Sequence, residues 1–212
     1  MNILELFAGS RSIGNVAEEF GHNVFSVDIK DFDGINLVKD IEDLTPNDIP
    51  FKPSMIWASP PCTTYSLAAI SHHRPIGKNK TAFAFKSDNL VRNTLKIIAY
   101  FNCIYYIENP RATLRKQPFM QGIPRTTVWY CNYGSMVAKP TDIFTNNIYS
   151  LFNPKGWQPR AKCFNGNQNC HHEAAPRGSK TGTQGINNNF NRSKIPYELC
   201  KEIITVTKNN IL

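Results

Sequence analysis

An α/β fold built on a mostly parallel, doubly wound sheet is what the first half of this 212-residue chain predicts. Two patterns carry that expectation. Short apolar runs of strand length alternate with stretches whose apolar residues recur at helical spacing. Each strand-like run also hands over at its end to a glycine, a proline or an acid. Such alternation puts helices on both faces of a parallel sheet and gathers ligands beyond the carboxyl ends of the strands.

The elements follow in order. Ile3 to Phe7 reads as a strand ending at Ala8-Gly9-Ser10, after which Ile13, Val16, Ala17 and Phe20 outline a helix stopped by Gly21. Val24 to Asp28 is a second strand closing on an acid, and Met55 to Ala58 is a third that enters Ser59-Pro60-Pro61-Cys62. Leu90, Val91, Thr94, Leu95, Ile98 and Phe101 share one helical face, and Ile104 to Ile107 then delivers Glu108-Asn109-Pro110. Beyond Pro110 the pattern loosens. Thr127 to Tyr130 and Ile143 to Thr145 look like strands, Asn153 to Ser193 has no apolar period, and Tyr197, Leu199, Cys200, Ile203 and Val206 outline a last helix opened by Pro196.

The length suits one catalytic domain with a small appended module. No run approaches the roughly 18 apolar residues that span a bilayer, and no basic leader precedes the first strand, so a soluble cytoplasmic monomer is expected. Six scattered cysteines in such a chain are expected as free thiols, a nucleophile or metal ligands rather than disulfides. The net charge is +8. Residues 151–194 hold seven basic side chains against one acid, whereas residues 1–150 hold 15 against 13. A basic segment of this kind suits a phosphate backbone, although a solvated loop accounts for the charge equally well.

Several residues are placed to do chemistry. The turn Phe7-Ala8-Gly9-Ser10, leading into Ile13, offers a glycine that admits a ligand close to the backbone and the free N–H groups of a helix start. Asp28, about 20 residues past that turn, is where a dinucleotide or adenosyl ribose would be held through its hydroxyls, unless it caps a helix or turn; Asp31 and Asp33 could serve equally. Asp40, in Lys39-Asp40-Ile41, is an acceptor for an adenine amino group or simply a loop acid. Pro60 and Pro61 fix the backbone and present the Cys62 thiol rigidly, and Glu108 at the next strand end is expected to face the same crevice. A nucleophilic thiol needs nearby positive charge, and His72, His73, Arg74, Lys78 and Lys80 follow in what reads as a loop over the site.

The order Phe-Ala-Gly, acid, Pro-Pro-Cys, Glu-Asn resembles the cytosine carbon-5 DNA methyltransferases, in the small form found in bacteriophages and bacterial genomes. The resemblance is clear over residues 3–110. It implies a Rossmann-like class I fold and S-adenosylmethionine as cofactor, held by Phe7, Ala8, Gly9, Ser10, Ile13, Asp28, Ile29, Asp40, Ile41 and Pro60. It also implies a Cys62 nucleophile, with Glu108 and Asn109 on a cytosine flipped out of duplex DNA. Amino-group methyltransferases carry Asp/Asn-Pro-Pro-Tyr/Phe at the matching turn, so Cys62 is the discriminating residue.

The second half follows the family less closely. In Gly122-Ile123-Pro124-Arg125-Thr126-Thr127-Val128 the two arginines expected by similarity align with Thr127 and Trp129, leaving Arg125 or Thr127 to assist Glu108. Ser193 to Leu199 is similar to the last family motif, in which the chain end packs back on the first helix. The implied organisation is a catalytic domain at 1–131, a compact recognition region at 132–192 and a closing helix at 193–212. DNA contacts are then expected from His73, Arg74, Lys78, Lys155, Arg160, Lys162, Arg177 and Lys180. Cys131, Cys163, Cys170 and His171 suggest a structural zinc site in that region, whereas Cys103 and Cys200 read as core packing. Alternatives are the same chemistry on RNA or a cytosine nucleotide, and an inactive DNA-binding relative.

Overall fold

The computed structural model describes residues 1–67, 69–76, 80–164, 166–173 and 189–211. Seven strands form one sheet: β1 (Asn2–Leu6), β2 (Asn23–Asp28), β3 (Leu37–Val38), β4 (Met55–Ala58), β5 (Ile104–Pro110), β6 (Arg125–Trp129) and β7 (Pro140–Thr145). Their spatial order is β3-β2-β1-β4-β5-β7-β6, with β1 to β5 mutually parallel and β7 antiparallel to both its neighbours. The helices are α1 (Ser12–Glu19), α2 (Ile70–His73), α3 (Ala82–Phe101), α4 (Asn189–Ser193) and α5 (Tyr197–Ile211). Among the described residues no helix is long and apolar enough to cross a membrane.

The period-two alternation of a strand divides the core between two faces. Ile3, Trp57 and Tyr106 point to the side covered by α1 and α5, where they meet Ile13, Val16, Leu199 and Ile203. Leu4, Leu6, Ile56, Ala58 and Ile107 point to the other side, against Val91, Ile97 and Ile98 of α3. A strand buried on both faces needs apolar residues at every position, and β4 is buried throughout. The return of the last helix onto the first, implied by the resemblance, is fixed by this shared core and by Ile195 N–H donating to Ser12 Oγ at 3.1 Å.

Two features depart from the sequence expectations. Helix α3 begins at Ala82, well before the apolar face at Leu90, because its early buried positions are Ala84, Ser87 and Asp88 while Phe83 and Phe85 face outward. Its start is set by Thr81, whose hydroxyl accepts from Ala84 N–H. Strand β7 lies inside the sheet between β5 and β6. Residues 140–145 therefore pair within the same sheet as β1 to β5.

The segment after β7 is also anchored. Trp157 is fully buried against Tyr106, its indole donates to Glu202 at 2.8 Å, and its backbone N–H donates to Asn147 O.

Candidate active site

Strand β1 is the point where strand order reverses, with β2 on one side and β4 on the other, so the crevice for ligands opens beyond their carboxyl ends. The chain leaves β1 through a tight turn in which Phe7, Gly9 and Arg11 all adopt positive φ (57°, 48° and 50°). Asp28, at the end of β2, braces this turn: Gly9 N–H donates to Oδ2 at 3.0 Å and Lys30 N–H to Oδ1 at 2.9 Å. A carboxylate has further lone pairs to offer a ribose diol. Phe7 is half-buried and Ile29 is exposed, leaving apolar surface beside that acid. An acid flanked by accessible apolar side chains fits an adenosyl group, whose sugar hydroxyls are donors and whose purine presents flat faces that stack on apolar surface.

The helix start behind the turn is not free. Gly14 N–H donates to Glu5 Oε1 at 3.1 Å, and Ser26 Oγ–H donates to Oε2 at 2.8 Å. Glu5 thus caps α1 from inside the fold, and burial pushes its carboxyl up to about 7. Ile13 is fully buried in the core, and Ile41 is nearly so, so neither side chain reaches the crevice. Asp40 caps a short 3-10 turn through Glu42 N–H and pairs with Lys86 at 2.7 Å, which holds its carboxyl below the usual range despite burial.

Cys62 follows β4 as expected. Asn109 Nδ2 donates to Pro60 O at 2.9 Å, tying the end of β5 to the turn that carries the thiol, while Tyr65 and Ser66 N–H groups both donate to Cys62 O. Asn109 Oδ1 is buried without a partner among the described residues. Burial pushes the Cys62 thiol up and the Glu108 carboxylate pushes it the same way; Lys139 and Arg192 oppose them. Thiol and carboxyl therefore stand within electrostatic reach of each other. Glu108 is 5% exposed and accepts a hydrogen bond from the Tyr130 hydroxyl at 2.9 Å. Complete burial and that carboxylate raise the Tyr130 phenol far above its ordinary value, so it remains a donor. Lys139 Nζ lies 4.6 Å from the centre of the Tyr130 ring and donates to Arg192 O.

Other expected residues fall elsewhere. Residues paired across antiparallel strands share a face. By the β5–β7–β6 register Glu108 shares its face with Ile143 and Thr126, whereas Arg125 and Thr127 lie on the opposite face with Asn109 and Asp142. Arg125 is exposed beside Phe144, and Thr127 donates to Asp142 and accepts from Arg115. The side chain that hydrogen-bonds Glu108 is Tyr130.

Arg74 is engaged within the fold. Its side chain is 6% exposed, pairs with Asp88 at 2.7 Å, bonds Thr64, Gln117 and Ala84, and lies over the Tyr65 ring. Arg160 pairs with Glu198 and Glu202 of α5. His73 bonds Thr81 and packs on Phe83. Lys155 and Lys162 are exposed, while Lys78, Arg177 and Lys180 lie outside the described residues. In the cysteine cluster the histidine is His172; His171 is exposed, with Nε2 3.1 Å from Ser135 O.

Sequence reasoning missed Glu5, Tyr130 and Lys139. Only Glu5 carried a signal, as an acid inside an otherwise apolar strand; Tyr130 read as the end of a strand, and Lys139 stood in no motif.

No family model matches the chain. Among solved structures, an Entamoeba histolytica methyltransferase, EhMeth, superposes with a TM-score of 0.52 at 14% identity, over 77% of this chain and 57% of that one. An E. coli prophage protein assigned as a DNA modification methyltransferase superposes with a TM-score of 0.50 at 13% identity, over 68% and 46%. This chain spans about half the length of those two structures, and at such identities the likeness speaks for the fold. The fold is the Rossmann-like class I methyltransferase fold. By sequence, the chain is 28% identical over 219 aligned positions to a protein of Frog virus 3 named as a probable DNA (cytosine-5)-methyltransferase, covering 96% of this chain and 99% of that protein.

Proposed function

We propose that the protein methylates carbon-5 of cytosine in duplex DNA through a covalent adduct on Cys62. The observation that carries this reading is the convergence of Cys62 and Glu108 at the ends of adjacent parallel strands, with the Glu108 charge acting on the thiol. S-adenosylmethionine, when bound, supplies an electrophilic methyl group. Phe7, Gly9, Asp28 and Ile29 are the residues that hold it. The exposed Lys155 and Lys162 and the name of the viral relative favour DNA as the substrate.

Carbon-5 of cytosine is a poor nucleophile, and the residues supply what it lacks. Cys62 Sγ adds to carbon-6 as the thiolate, and the electrons of the 5,6 double bond move toward carbon-5 and the ring. Glu108, held by Tyr130, hydrogen-bonds or protonates N3 and stabilises that charge. Carbon-5 then takes the methyl group, the sulfonium carbon–sulfur bond breaking with its electron pair left on sulfur. Loss of the carbon-5 proton to a base and departure of the Cys62 thiolate restore the ring. The target base must first leave the duplex, at a cost of a few kcal/mol.

The test is to incubate the protein with methyl-labelled S-adenosylmethionine and duplex DNA, transfer RNA or dCMP, and to analyse the products as nucleosides. The expected result is 5-methyldeoxycytidine from duplex DNA, lost in Cys62→Ala. Label in RNA or dCMP alone would overturn the DNA assignment, and undiminished transfer by Cys62→Ala would overturn the mechanism.

A further inference from the structure

The stretch from Lys162 to Glu173 lacks the means to fold by apolar burial. Among its described residues only Cys163 and His172 are buried, while Phe164 is 61% exposed. A loop that leaves its aromatic residue in water and buries a thiol and an imidazole is not packing a hydrophobic core. Both buried groups meet Cys170 and Cys131, the latter fully buried at the start of the turn after β6. One sulfur or nitrogen atom from each of the four lies within 4.8 Å of all the others.

We infer that Cys131, Cys163, Cys170 and His172 form a structural zinc site that clamps the basic segment onto the catalytic sheet. Four ligands around tetrahedral zinc, with Zn–S distances of about 2.3 Å, stand roughly 3.8 Å apart, so a small contraction of this cluster closes the shell. Three thiolates and a neutral imidazole are a soft donor set suited to zinc, and the thiol protons leave to solvent as the metal enters.

Two further observations favour a metal site. His172 Nε2 is buried without a partner among the described residues, and the ring's other nitrogen, Nδ1, faces Cys163 Sγ at 3.9 Å, so the imidazole's polar contact is to a cluster sulfur. The loop is also shaped around its sulfurs. Asn167 Nδ2 donates to Cys163 Sγ at 3.5 Å, and Cys170 N–H donates to Asn167 O, closing a turn that sets Cys170 beside Cys163. Such N–H donors to sulfur are the outer-shell support that metal thiolates use.

The site has a consequence for the crevice. Cys131 directly follows Tyr130, the donor to Glu108, and Glu173 N–H donates to Met136 O across the same turn. The ion would hold the segment carrying Lys155 and Lys162 in register with the residue that orients Glu108.

The test needs neither DNA nor cofactor, so its outcome is independent of the proposed methyl transfer. The full chain is expressed with zinc, dialysed exhaustively and assayed for metal by mass spectrometry, alongside His172→Ala, Cys163→Ser and His171→Ala. One zinc ion per chain is expected in the native protein and in His171→Ala, with loss in the other two variants. Cobalt substituted into the native protein should give thiolate charge-transfer and tetrahedral d–d absorption. Negligible zinc in the native protein, a disulfide among the three cysteines, or zinc loss in His171→Ala but not in His172→Ala would each overturn the assignment. The native measurement stands even if a ligand variant fails to fold.

Discussion

Replacing Arg74 by methionine separates a structural arginine from a DNA-binding one. The guanidinium is buried with Asp88, whose own side chain is 7% exposed and also receives Lys80 and the Tyr65 hydroxyl. Removing one partner of a buried pair costs about 3–5 kcal/mol, and because Lys80 and Tyr65 remain on Asp88 the lower end, about 3 kcal/mol, applies. For a chain of this size each kcal/mol moves Tm by roughly 2–4 °C, so Arg74→Met should melt about 6–12 °C below the native protein. Differential scanning calorimetry reads the stability, and DNA affinity across a salt series reads phosphate contacts. Below the melting range, Arg74→Met should keep the native slope of log affinity against log salt, whereas Lys155→Met and Lys162→Met should each reduce it by up to about one contact. An unchanged Tm together with a reduced salt slope for Arg74→Met would refute the structural role.

Asn109→Ala removes the donor to Pro60 O inside the fold. It should cost about 1–3 kcal/mol of stability and, by letting the Cys62 turn drift, about 10²-fold in kcat, while S-adenosylmethionine binding measured by calorimetry stays native; a native kcat would contradict the bracing role. The raised Cys62 thiol sets a pH dependence. Thiolate forms only as pH climbs through a value above that of an ordinary cysteine, so iodoacetamide labelling of Cys62, followed by peptide mass spectrometry, should rise later with pH in the folded than in the urea-unfolded chain. Lys139→Met deletes a charge that favours thiolate and should move the midpoint further up, and Glu108→Gln should move it down. A downward shift in Lys139→Met would be the wrong sign.

The catalytic half was legible because each of its motifs is local: a strand, a fixed backbone turn and one reactive side chain, as at Met55 to Cys62 or Ile104 to Asn109. What escaped depends on register and long-range pairing. Arg125 and Thr127 are adjacent in sequence to plausible roles, yet one residue of strand register sends them to the face opposite Glu108. Arg74 reads as a surface base until Asp88, 14 residues later, is found to bury it. The early turns of α3 hid because Ser87 and Asp88 occupy their buried face. Trp157 lies in a polar stretch with no apolar period, and only the fold shows that it completes the core of the α5 side. The zinc-type cluster was legible as a set of cysteines, but two adjacent histidines differ in exposure for reasons no local pattern encodes.

The Cys62 nucleophile is tested most directly with duplex DNA in which target cytosines are replaced by 5-fluorocytosine. Fluorine cannot leave carbon-5 as a proton, so the adduct formed by Cys62 should persist after methyl transfer. With S-adenosylmethionine present, the native protein should give a denaturant-stable protein–DNA complex whose cross-linked peptide contains Cys62, and Cys62→Ser should give none. Absence of that complex from protein shown to bind both cofactor and DNA would contradict the account.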